Sequence, residues 1–167
     1  PTRLIDTAQM ETASDDWFVD FEGNGLPALA VGRLPLRNEQ EASEMVGKIL
    51  AYESQRRDRT VLLISDLSDT WGFSGSSEGL RPLIPTAYAV QSLSRDSMDP
   101  ATARAQVLAA ISQGSAVVNY LGHGSVDLWR AGLLTDADVP AMTNTGMPVF
   151  VMMTCLNGYF NEPALDS

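Results

Sequence analysis

Three largely apolar runs, Thr60 to Ser65, Ala116 to Leu121 and Pro148 to Met153, constrain this chain more than any other feature. None shows the alternation of a half-exposed strand, and such runs read as strands buried on both faces. Two more strands are predicted: a short one at Leu29-Ala30-Val31-Gly32, ended by Arg33 to Pro35, and one over Ala87 to Leu93, just after Pro85. Helical spacing fills the intervals. Ala42, Met45, Val46, Ile49 and Leu50 mark a helix over 38–56, opened by Asn38 with Glu41 three residues on. A short helix is predicted over 78–84, after the polar, Gly/Ser-rich loop Asp66 to Ser77. Asp99-Pro100 opens another, with Val107, Leu108 and Ile111 inward and Gly114 as its stop. Residues 1–27 read as irregular and acidic. The alternation of strand and helix gives an α/β fold with a mainly parallel sheet, covered on both faces by right-handed crossovers.

Composition narrows the function classes. At 167 residues and 44% apolar, the chain fits one domain with a real core. Its 11 Lys+Arg against 21 Asp+Glu give a formal charge of −10, which argues against binding nucleic acid or an anionic membrane surface. No apolar run approaches the ~20 residues of a membrane span. A single Cys excludes an internal disulfide and a multi-Cys zinc site, and a single His excludes a poly-His metal centre.

In parallel sheets, ligands bind off the carboxyl ends of the strands. His123 stands two residues past the run ending at Leu121, and Cys155 two residues past the run ending at Met153. If those strands are neighbours, imidazole and thiol face each other across one cleft, as a thiol nucleophile and its base require. Gly122 and Gly124 flank His123 and let a substrate backbone come close. The N–H groups of Gly124 and Cys155 are the candidate donors to a developing oxyanion.

The ordered set of segments Ala30-Val31-Gly32-Arg33-Leu34-Pro35, Val118 through Gly122-His123-Gly124-Ser125, and Met153-Thr154-Cys155 through Asn157-Gly158-Tyr159-Phe160 resembles the gingipain family of cysteine peptidases, family C25, within the caspase-like group. The cluster Asp15-Asp16-Trp17-Phe18 fits the same pattern. The resemblance runs from about residue 3 to the end. It implies a caspase-like αβα sandwich and a peptide-hydrolysing Cys/His dyad, with His123 and Cys155 at the catalytic positions and Gly124 as oxyanion donor. It also implies an acidic third member in the loop after the second strand, where Asp66 falls nearest. Arg-cutting members carry an acidic group where this chain has Phe73, Ser74 and Gly75, so Arg specificity is not carried over. The resemblance further implies a polypeptide substrate and a secreted or cell-surface location.

Asp20, Glu22, Asn24 and Gly25 resemble the opening of a calcium loop, but Val31 occupies the twelfth position, leaving at most a looser calcium site against an Asn-Gly turn. Gly72, Gly75 and Gly79 are no phosphate loop, since no Lys-Ser/Thr follows. Asp127 and Trp129 are candidate substrate contacts behind His123. Residues 1–167 are expected to be a peptidase domain incomplete at both ends. Asn161 to Ser167 read as the entry to a further element, and the last strand is expected to pair with the remainder of its own protein or with a second copy. Two rival readings are a non-catalytic module of a large surface protein and a sortase-like transpeptidase of the same fold.

Overall fold

All three apolar runs become strands, but only the first two are buried as expected: in the third, Val149, Val151, Met152 and Met153 are exposed because it has one neighbour among the described strands. The computed structural model describes residues 3–8, 10–54, 58–144 and 146–162. Its strands are β1 (Arg3–Asp6), β2 (Glu11–Ser14), β3 (Thr60–Ser65), β4 (Ala89–Ser94), β5 (Val117–Leu121) and β6 (Val149–Met153). Its helices are α1 (Glu39–Ser54), α2 (Phe73–Glu78) and α3 (Pro100–Gln113). The strands β4-β3-β5-β6, in that spatial order, form one parallel sheet.

Alternate residues of these strands make the core. Leu62 and Ile64 of β3, Leu93 of β4, and Val118 and Tyr120 of β5 cluster with Ala103, Val107, Ala110 and Ile111 of α3. The ring of Tyr120 stacks on Trp129 at 4.1 Å with planes 5° apart, and Leu133 closes the same cluster. Fully burying an aliphatic side chain of this kind contributes about 1.5–3 kcal/mol. Asp99 starts α3 by accepting from the N–H groups of Ala101 and Thr102, and Gly114 ends it at φ 98°.

The structure corrects several sequence expectations. Leu29-Ala30-Val31-Gly32 is not a strand; it is exposed irregular chain, bracketed by Pro27 and Pro35, which cannot donate to a ladder. The N-terminal stretch contains an antiparallel hairpin of β1 and β2 rather than irregular chain throughout. The short helix begins earlier than predicted, at Phe73, and Arg81–Leu83 is a separate 3-10 turn. Gly and Ser are poor helix formers, so α2 depends on its tertiary contacts with β3 and β5. The helix α1 forms as expected, with Asn38 Oδ1 accepting from Glu41 N–H at 2.9 Å. Its stripe packs inward only in part: Ala42 and Met45 are half-buried, while Val46, Ile49 and Leu50 are exposed. Residues 55–57, at its predicted end, and 163–167, the predicted entry to a further element, lie outside the described residues.

Asp20, the first of the residues singled out for a looser calcium site, closes a turn. Its carboxylate accepts from the N–H groups of Asn24, at 3.0 Å, and Gly25, at 2.9 Å, while Asn24 donates its amide to Glu22. Among the described residues, no group of three or more His, Cys, Asp or Glu is placed to hold a metal ion.

Candidate active site

Leu121 of β5 and Met153 of β6 are register partners, and Gly122 N–H extends the ladder by donating to Met153 O at 3.3 Å. His123 and Cys155 therefore leave the same edge of the sheet, two residues beyond paired positions. Asp66 joins them there: it follows β3, and its N–H donates to Leu121 O at 3.0 Å.

The backbone of His123 is held from three sides. Its N–H donates to Asp66 Oδ2 at 3.2 Å, and its carbonyl accepts from Tyr120 Oη at 2.7 Å and from Arg130 N–H at 2.9 Å. Burial and the adjacent Asp66 carboxylate push the Tyr120 hydroxyl well above its ordinary pKa, so it stays a neutral donor. Asp66 is fully buried and also accepts from Leu67 N–H at 2.7 Å. A Cβ at Gly122 would collide with Asp66 Cβ and the Tyr120 hydroxyl, so glycine is what lets this carboxylate lie beneath the His loop.

The imidazole itself meets a different acid. His123 Nε2 lies 2.8 Å from Asp69 Oδ2. Phe73, the first residue of α2, packs edge-on against the ring at 5.1 Å and 88°. Asp69 is kept below its ordinary carboxylate pKa chiefly by the N–H of Trp71, then by the His123 ring, with Arg130 adding a Coulombic contribution. Arg130 Nη1 stands 3.5 Å from Asp66 and 3.6 Å from Asp69, a cation shared by both carboxylates.

Cys155 is exposed on a tight turn. Asn157 N–H donates back to Cys155 O at 2.9 Å, and Leu156 between them has φ 63°. An i to i+2 bond across a residue of positive φ is the rarer, strained γ-turn, and Leu pays for it sterically. The turn is tied to the His loop, because Asn157 Nδ2 donates to Ser125 O and, at 3.3 Å, to Val126 O. The loops also meet at Gly124, where a Cβ would strike Thr154 Oγ1 and come within 3.1 Å of Leu128 O.

The sequence matches the profile of Peptidase family C25 over residues 1–167. The chain belongs to peptidase family C25. Its fold is that of the crystal structure of the Arg-specific cysteine proteinase gingipain R, with a TM-score of 0.65 and 17% identity over 89% of this chain. The chain spans 37% of that structure's length. No curated protein matches the chain significantly. Family and fold together place the chain in the caspase-like α/β class.

Within this C25 chain, the remaining predicted site residues are placed as follows. Asp127 is exposed, whereas Trp129 is 2% exposed and belongs to the core through its stack on Tyr120. Both line a cavity of about 340 Å³ with Val126, Phe150, Met152 and Asn157. Asp66, the predicted third member, contacts the His123 main chain; the ring contact is made instead by Asp69, which carries no motif of its own in the sequence. Both lie in the loop expected to carry the acid. Their spacing held the usable signal: Asp66 follows directly on the strand and is drawn inward, while a residue three further on can reach the loop of the neighbouring strand. Arg130 and Asn157 were missed because nothing local marks a residue that bridges two loops.

Proposed function

We propose that this domain is a cysteine-type endopeptidase working through His123 and Cys155. The observation that carries the reading is the placement of both residues two positions beyond the Leu121–Met153 pair, with the imidazole already held by a carboxylate. The Cys155 thiolate attacks the scissile carbonyl carbon, forming a C–S bond and a tetrahedral oxyanion. The main-chain N–H groups of Gly124 and Cys155 donate to that oxyanion. Asp69 on Nε2 leaves Nδ1 as the working nitrogen, and it protonates the leaving amine as the C–N bond breaks. Water then attacks the thioester carbonyl carbon, His123 takes its proton, and collapse of the adduct breaks the C–S bond, releasing the carboxylic acid and returning the Cys155 thiolate beside the protonated imidazole.

Family membership supports a secreted or cell-surface setting and a polypeptide substrate. Phe73 packs on the His123 ring, near the place where Arg-cutting members of the family carry an acidic group, so Arg specificity is not carried over to this chain. The test is cleavage of fluorescein-labelled casein by the full-length protein. Cys155→Ala and His123→Ala should each abolish turnover while keeping the fold, and a Cys155→Ala protein of undiminished activity refutes the assignment.

A further inference from the structure

Asp96 lies beyond β4, in the 3-10 turn Arg95–Ser97, and touches neither His123 nor Cys155 in any hydrogen bond or ion pair of the described residues. Its carboxylate instead gathers the loop that carries Asp69. Oδ1 accepts from Ser68 N–H at 2.7 Å, and Oδ2 accepts from Ser68 Oγ at 2.8 Å and from Ser74 Oγ at 2.5 Å. The two hydroxyl oxygens are themselves 3.3 Å apart. The turn that holds Asp96 is fixed in its own right, since Ser94 Oγ accepts from Asp96 N–H at 3.2 Å.

The positions of the two serines give these bonds their meaning. The side chains that touch the imidazole are Asp69 and Phe73. Ser68 directly precedes Asp69, and Ser74 directly follows Phe73. One carboxylate thus holds the chain on both sides of the segment 69–73 and closes it into a small loop whose inner face meets the ring. Asp69 lies in an exposed stretch, with Leu67, Thr70, Trp71 and Gly72 also exposed, so burial does little to order it. Hydrogen bonds to an ionised carboxylate are about twice as strong as neutral ones, which suits them to this task.

We propose that Asp96 is a positioning residue for His123, acting through Ser68 on Asp69 and through Ser74 on Phe73. This rests on the peptidase reading above for its kinetic consequence, but not for its structural one. The clamp sets the imidazole for proton transfer and makes no contact with a peptide, so its loss lowers kcat and leaves KM unchanged. Small misplacements at a reacting centre cost factors of ten to about a hundred in rate.

The test uses the full-length protein in three forms: wild type, Asp96→Ala, and the milder pair Ser68→Ala/Ser74→Ala, which keeps the residue 68 N–H bond and guards against a misfolded single variant. The first arm is the NOE between the His123 and Phe73 rings, measured with histidine-selective labelling and assigned as the signal that disappears in His123→Ala. The second arm is casein cleavage, with kcat and KM separated. The expected result is loss of the NOE in both variants, a fall in kcat of roughly 10-fold or more, and KM within about twofold of wild type. An intact NOE with unchanged kcat in the serine pair overturns the proposal, as does a rise in KM at constant kcat. The arms keep the two readings apart: wild type that cleaves no casein counts against the peptidase, while the NOE alone decides whether Asp96 positions the ring.

Discussion

Gly124 and Thr154 approach so closely that no side chain fits between them. This contact sets how near the His loop comes to the Cys loop. Gly124→Ala should therefore force the two loops apart, with a loss of at least about tenfold in kcat. Thr154→Ala removes the Oγ1 that the new Cβ would strike, so Gly124→Ala/Thr154→Ala should recover part of the loss. Kinetics of the two single variants and the pair measure the coupling directly.

Asp66 and Asp69 should separate cleanly on substitution. Asp66 is buried and satisfies two main-chain N–H groups, so Asp66→Ala leaves both unpaired and should cost about 1–3 kcal/mol of stability. Asp69 is exposed, and Asp69→Asn should leave thermal stability near that of wild type while lowering kcat. Melting curves beside casein kinetics decide it; equal melting losses for the two variants would show that both acids are merely structural.

The sheet was legible in the sequence because burial on two faces leaves a largely apolar run, uninterrupted in Val61 to Ile64 and broken only by the buried Asn119 in Val117 to Leu121. The shared edge of His123 and Cys155 was legible for the same reason: parallel pairing in register carries strand ends to one side. What escaped depended on partners distant in sequence. Val31 looks like core by composition but joins no ladder among the described residues, and Val46, Ile49 and Leu50 keep helical spacing yet stay exposed. Asp69 and Asp96 do their work through contacts spanning 54 and 28 residues, for which local pattern gives no sign.

Acid should undo the Asp96 clamp in a defined window. Its carboxyl is held below the ordinary value of 3.8, first by Ser74, then by Ser68. A carboxylate whose folded pKa lies below its unfolded one adds stability that is fully present above the unfolded value and is lost as pH falls through the folded one. The stability difference between wild type and Asp96→Asn should thus be constant above about pH 5 and close as pH drops below 3.8. Urea titrations from pH 7 to pH 3 measure it.

The turn at Leu156 should respond to glycine. Left-handed backbone costs a non-glycine residue roughly 1–2 kcal/mol, and Leu156→Gly removes most of that while adding unfolded-state entropy. A net gain of up to about 1 kcal/mol is expected, visible as a thermal midpoint raised by a few degrees. Activity should fall, because a glycine next to Cys155 permits more backbone states at the nucleophile.

The two halves of the proposed dyad stand on strands of unequal security. β5 is paired on both sides, and Val118, Asn119 and Tyr120 are buried; β6 has one neighbour among the described strands, and Val149, Val151, Met152 and Met153 are exposed. Opening fluctuations that separate thiol from imidazole will start on the cysteine side. Amide hydrogens of Val149–Met153 should accordingly exchange with solvent at lower protection than those of Val117–Leu121, giving a fixed histidine and a cysteine whose position follows whatever steadies its strand.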